Sequence, residues 1–206
     1  MNSLTTNPNA SGFLALAMRQ GLIQRWPLMR TKMSDNLLEH GYVVSIISLM
    51  AGHLARDNGK NVDVLRMMAH GLLHDLQETV SQDISSLVKN ATPEMAAAYA
   101  VIEDKAQKAI ISTLPDDLRG HMAQYFELSG YEKELCKAAD QYATYIKAVQ
   151  EVAAGNHIEF ADTLEKIEVI VDNMVQKYPE MEKIHNYFND GFDKSVDTLL
   201  GGPLFG

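Results

Sequence analysis

From Asn36 to Gly59 the chain reads NLLEHGYVVSIISLMAGHLARDNG, with Val43, Ile46, Ile47, Met50 and Leu54 recurring at helical steps. That spacing places them on one face of a helix, and Gly59 supplies a stop. A second run, VDVLRMMAHGLLHDLQE, follows Asn61, which stands where an N-cap is expected. The pattern lapses in TVSQDISSL, which predicts a loop. Thr92-Pro93 then opens EMAAAYAVIEDKAQKAII with proline in its first turn, and Pro115 opens a shorter helix. YEKELCKAADQYATYIKAVQEVAAGN is long, rich in helix formers and closed by Gly155. Two further helices are predicted over 158–177 and after Pro179, and FLALAMRQGLIQRW gives a short one before Pro27. There are no repeats and no alternating stretch that reads as a strand. The expected fold class is all-α: one helical domain over 12–200, between a flexible leader (1–11) and a flexible tail (201–206).

At 206 residues the chain is long enough for one sizeable core and too short to expect two. A formal net charge of -9 argues against a nucleic-acid polymer as partner, since such a surface needs basic patches. The single cysteine, Cys136, leaves no intramolecular disulfide and no thiolate zinc cluster, which fits a reducing compartment. The opening MNSLTTNPNASGF has no basic segment followed by an apolar one, and no run approaches the roughly 20 apolar residues of a membrane helix. The expectation is a cytoplasmic protein with no membrane partner.

Against this background a few polar residues stand out. His40 shares a helical face with Val43, Val44 and Ile47. Asp140 sits in a stripe of Cys136, Ala139, Ala143 and Ile146, and His74 and Asp75 end the apolar run of the second long helix. Buried imidazoles and carboxylates are normally paired or hold a metal. Three helices that each bring such a group to a packing face suggest one shared divalent cation. Without thiolates, Mn, Fe, Co, Ni and Zn all remain open. Two His and two Asp leave positions for water and a substrate oxygen, and a metal there would acidify water and polarise a phosphoryl group.

Each residue also has a plainer reading. His40 alone suits a satisfied core histidine, His74-Asp75 is a common dipeptide, and Asp140 could pair with a lysine. Glu78 follows His74 by four, so both point from the same helix face, one turn apart. There Glu78 could manage the proton of a water or of a leaving group. His70, one turn before His74, is a rival ligand or a supporting core residue. QRWPLMR holds the only tryptophan, Trp26, between Arg25 and Arg30. Guanidinium beside indole suits a ligand with a phosphate and a flat base or sugar, and equally suits a core tryptophan with solvated arginines.

The ordered set RWPLMR, EH, HDLQE, an Asp five residues later, and KAADQYATYIKAVQEVAAGN resembles the HD-domain phosphohydrolases, most closely the bacterial HD-domain 5′-deoxynucleotidases. The resemblance runs from about Leu22 to about Asn156. It implies a single HD-domain helical bundle, one divalent transition metal and a homodimer. The implied ligands are His40, His74, Asp75 and Asp140. The implied catalytic residues are Glu78, Arg25 and Asp83, with Arg25 on the phosphate, Trp26 against the sugar disfavouring a 2′-hydroxyl, and Asp83 near the nucleotide. The implied activity is hydrolysis of deoxynucleoside 5′-monophosphates to deoxynucleoside and phosphate, with the small deoxynucleotide as the ligand.

Two positions depart from that pattern. Asp83 is followed by ISSL, where relatives carry a proline-containing segment, and Leu38 stands where a small polar residue is usual. Both bear on base and phosphate-chain preference. A deoxynucleoside triphosphate triphosphohydrolase of the phage type is therefore the first alternative, and a non-catalytic nucleotide- and metal-binding sensor the second.

Overall fold

The structure is a computed structural model and describes residues 10–202. Residues 1–9 of the expected leader and 203–206 of the expected tail lie outside the described residues. The described chain is helical throughout, and its one β feature is an isolated antiparallel bridge between Gln24 and Asn36. The first helix, α1 (Phe13–Met18), passes into a 3-10 turn (Arg19–Leu22) before an irregular loop. The long central helix α2 (Leu37–Asp57) follows, then α3 (Val64–Leu73), α4 (Glu78–Ser81) and α5 (Ser86–Lys89). The second half holds α6 (Pro93–Ser112), α7 (Asp116–Ala123), α8 (Gly130–Ala153), α9 (His157–Lys177), α10 (Pro179–Phe188) and the terminal turn α11 (Val196–Leu199). The all-α expectation holds.

α2 starts where its sequence says it should. The Asn36 side chain accepts from the amides of Leu38 and Glu39, while Glu39 reaches back to the Asn36 amide, a complete capping box. The following helix begins later than expected. Asp63, not Asn61, is the cap, accepting from Arg66 N at 3.0 Å. The reason is Val62, which is buried, so the chain stays extended across the core before α3 can start. The segment expected to be a loop after Glu78 is also more regular, because α4 and α5 reduce the irregular stretch to 82–85.

The core gathers around α2, which packs on α3 and α8, with α8 backed by α9 and α10 on α9 and α2. Val44, Ile47, Ala51, Met67, Leu135, Ala139, Tyr142, Phe160 and Met181 are among its buried members. Most of the buried face of α2 is its small-residue face, Gly41, Val44, Ser45, Ser48, Ala51, Gly52 and Ala55. Of the large apolar residues picked out from the sequence, only Ile47 is fully buried, and Ile46 is 39% exposed. Small residues let α3 approach closely, which pushes the bulky ones to the flank. A Cβ on Gly41 would meet Gly71 O at 3.3 Å, so α2 and α3 cross nearly backbone to backbone there.

By length and composition alone α2 is long and apolar enough to cross a membrane, contrary to the expectation that no segment would be. It is the central core helix, and half of its apolar window is buried inside the domain. A second, smaller cluster of Phe13, Leu76, Ile110, Leu114 and Phe126 holds α1 and α6 against the turn that follows α3.

A candidate metal and nucleotide site

The α2–α3 crossing sets the first two groups. His40 stands one residue before Gly41 on α2, and His74 three residues after Gly71 at the end of α3, their ring centroids 5.5 Å apart. Asp140 enters from the middle of α8. Ligand atoms of His40, His74 and Asp140 all lie within 4.8 Å of one another. His40 Nε2 is 2.9 Å from Asp140 Oδ1, and Asp75 Oδ2 stands 3.1 Å from His74 Nε2 and 3.9 Å from His40 Nε2. His40 of α2, His74 at the C-cap of α3 and Asp140 of α8 thus face one point, with Asp75 of the following turn beside the two imidazoles.

The His74 ring is oriented by its other nitrogen. Nδ1 lies 3.0 Å from the carbonyl of Gly71, which can only accept, so Nδ1 carries a proton and Nε2 faces the cluster. That Nε2 is buried and has no hydrogen-bond partner that meets full bonding geometry among the described residues, although Asp75 Oδ2 lies 3.1 Å away. An orphaned imidazole nitrogen facing two carboxylates and a second imidazole fits a divalent transition metal. His70 stays outside the cluster. Its Nδ1 donates to the carbonyl of Tyr125 at 2.8 Å, tying α3 to the segment after α7.

The charges in the site follow from burial and proximity. Burial lowers the pKa of His40, outweighing the hydrogen bond that its Nε2 donates to Asp140. For His74 burial acts the same way, but the Asp75 and Asp140 carboxylates overturn it and raise the pKa to about 9. Asp75 and Asp140 shift the opposite way, burial being outweighed by the two histidines, and both sit below the usual carboxylate range.

Glu78 does not share a helix face with His74, contrary to expectation. α3 stops at Leu73, the chain turns through 74–77, and Glu78 is the first residue of α4. His74 Nδ1 occupies the Gly71 carbonyl, and the next amides bond three residues back, Leu76 to Leu73 and Glu78 to Asp75. This tighter winding ends the α-helix. Glu78 is buried beside Asp75 and Asp83, and burial with those two charges raises its pKa to about 9. Asp83, half-buried in the loop after α4, is also raised, chiefly by burial.

Arg25 and Trp26 lie in the loop before α2. Arg25 is the cation whose field reaches His40, Asp75, Glu78 and Asp83. Its Nη1 is buried and has no partner among the described residues. Trp26 has φ 63°, an unusual left-handed backbone for an aromatic residue. It is held there by Nε1 donating to Asp35 Oδ2 at 2.6 Å and by an edge contact with Phe160 at 5.1 Å. Asp35 was not legible as a site residue. Nor was Lys89, whose charge acts on Glu78 and Asp83 and which pairs with Glu103.

A family model described as 5′-deoxynucleotidase YfbR-like matches residues 12–195. A Vibrio vulnificus protein named 5′-deoxynucleotidase is 31% identical over 193 residues, covering 92% of this chain and 98% of its own. An HD-domain phosphohydrolase from Listeria innocua superposes with a TM-score of 0.74 at 19% identity, covering 87% of each chain. The HD phosphohydrolase of cyanophage S-2L, solved with dA and one catalytic Zn2+ ion, superposes with a TM-score of 0.61 at 20% identity, over 88% of this chain and 96% of its own. At these identities the two solved structures share the fold.

Proposed function

The chain belongs to the YfbR-like 5′-deoxynucleotidase family, and from that premise we propose that it hydrolyses deoxynucleoside 5′-monophosphates to deoxynucleoside and orthophosphate. The observation that carries the proposal is the buried, unpartnered Nε2 of His74, set among His40, Asp75 and Asp140 beside the equally unpartnered Nη1 of Arg25. A divalent metal would satisfy the imidazole nitrogen, and the phosphate of an ester would satisfy the guanidinium N–H.

In this reading His40, His74, Asp75 and Asp140 would hold one divalent metal. When bound, such a metal polarises a phosphoryl oxygen and lowers the pKa of water. Arg25 directs its free N–H at the phosphate and balances the charge that grows in the transition state. Glu78 is protonated at neutral pH because of its burial and its acidic neighbours. It gives that proton to the 5′-oxygen as the P–O bond breaks, and takes one back from the attacking water. Trp26, fixed by Asp35, packs on the sugar where a 2′-hydroxyl would crowd it, and Asp83 lies toward the nucleoside.

The family resemblance implies a homodimer, and an apolar face suits it. Tyr42, Ile46, Met50, Tyr142, Phe188 and Leu199 line an apolar hollow of about 360 Å³ on the α2–α10 side. A cytoplasmic location goes with the substrate class and with the lone, buried thiol of Cys136.

The test is a product analysis of the Mn- or Co-loaded protein with deoxy- and ribonucleoside mono- and triphosphates, followed by phosphorus NMR. Orthophosphate from deoxynucleoside monophosphates, with little from ribonucleotides, is expected. Tripolyphosphate from a deoxynucleoside triphosphate would overturn the substrate assignment. Thermal stabilisation by nucleotide without turnover would make the protein a sensor.

A further inference from the structure

The loop over 24–36 is a closed unit. Its base is fastened by the Gln24–Asn36 bridge, by Leu37 N donating to Ile23 O at 3.2 Å and by Arg25 N donating to Asp35 O at 2.9 Å. Arg25 and Trp26 leave from one side of that base, and Asp35 on the other side accepts the indole N–H. The far arm is bound elsewhere. Lys32 N and Met33 N donate to the two carboxylate oxygens of Glu151, at 2.9 and 3.0 Å. Lys147 Nζ donates to Glu151 at 2.7 Å and to Met33 O at 2.8 Å. Asn156 Nδ2 bridges Glu151 at 2.7 Å and Arg30 O at 2.8 Å.

Glu151 is fully buried and Lys147 is 7% exposed. A buried ion pair is a weak source of stability, since desolvation offsets most of its attraction. Here both charges bond the backbone of a loop, so what they fix is its position. Glu151 and Asp140 also lie eleven residues apart on α8, within about 20° of one face. One rigid helix therefore carries a group of the metal cluster at one level and the loop anchor three turns on. The loop's other attachment, Asn36, caps α2 one turn before His40.

We propose that Glu151, with Lys147 and Asn156, is a positioning residue that sets the placement of Arg25 and Trp26 over the metal cluster, and so the KM and the sugar selectivity of the site. The proposal rests on the nucleotidase reading of Arg25 and Trp26. Glu151 itself touches no substrate.

Trp26 is the only tryptophan, so its fluorescence reports the loop directly. The experiment compares metal-loaded wild type, E151Q and N156A by iodide quenching of Trp26, by metal content, and by kcat and KM for dAMP and AMP. With metal content unchanged, quenching is expected to rise at least about twofold. KM for dAMP rises about tenfold, and the dAMP-to-AMP ratio of kcat/KM falls about tenfold, as expected when positioning is lost at a distance. N156A decides the matter if E151Q does not fold. Variants with a lowered Tm but wild-type quenching, KM and sugar ratio would show that the node only stabilises, and the proposal fails. If wild type turns over neither nucleotide, the nucleotidase reading fails instead, while the quenching still decides whether Glu151 fixes the loop.

Discussion

Gly71 lies so close to Ser45 that a β-carbon on it would stand 2.7 Å from the Ser45 Cα and 2.8 Å from its amide nitrogen. Both are backbone atoms of α2, so nothing can swing aside, and the helices would have to part. The same crossing sets the separation of His40 and His74. We predict that Gly71→Ala costs about 1–3 kcal/mol in stability, in the range of overpacked cores. It should also weaken metal binding about tenfold or more. Calorimetric titration of the stripped protein with Mn or Co checks this; wild-type affinity in a destabilised variant would break the link between the crossing and the metal.

Glu78 is the group whose raised pKa points to proton transfer. Glu78→Gln keeps the shape and removes the proton. We predict a fall in kcat of roughly 10²–10⁴-fold, the usual weight of general acid–base catalysis, with metal content unchanged. Because the wild-type residue acts while protonated, its activity should decline as pH rises toward 9. Activity of E78Q equal to wild type across that range would remove Glu78 from the chemistry.

How far the site was legible follows from which signals are local. Periodicity and caps mark helices, so Asn36, Thr92 and Gly155 could be read directly as their starts and stop. His40 and Asp140 were visible because each interrupts an apolar face on its own helix. The break between His74 and Glu78 was not, since it depends on a side chain taking the Gly71 carbonyl. Likewise the i, i+4 spacing of Lys147 and Glu151 looks like a surface pair. Only the return of the loop over 30–34, more than a hundred residues away in sequence, makes it a buried anchor. The small-residue face of α2 is hidden from periodicity because hydrophobic patterning favours bulk, whereas close helix crossing selects for its absence.

Without metal, the His74–Asp75 pair gives stability a definite pH dependence. The His74 pKa is raised to about 9 in the folded protein against an ordinary 6.5. Its contribution is therefore full below about 6.5 and is lost as pH climbs through 9, an effect on the order of 3 kcal/mol. Asp75 and Asp140, held low, lose theirs as pH falls below the ordinary carboxylate value. We predict that the stripped protein loses Tm between pH 6.5 and 9. Added Mn or Co should recover that loss, since a metal takes the place of the His74 proton and binds better as pH rises. A stripped protein whose Tm is flat over this window would contradict the assigned charge of His74.

The apolar hollow on the α2–α10 side makes its own prediction about assembly. Tyr42 is 62% exposed, Leu199 58% and Phe188 43%, beside Ile46 at 39%, so large apolar side chains cluster where a monomer gains nothing from them. In an isologous dimer each copy covers the other's patch, and one substitution places two changes at the interface. Ile46→Glu therefore introduces two carboxylates into a surface that must be dry to hold. Ile46 already has access to solvent in the single chain, so the monomer's own core should tolerate the change. We expect sedimentation to show a dimer for wild type and a monomer for Ile46→Glu at micromolar concentration, with far-UV circular dichroism unchanged. His40, His74, Asp75 and Asp140 all come from one chain, so metal content should survive dissociation. A variant that remains dimeric would move the interface to another face, and a wild type that sediments as a monomer would remove the dimer altogether.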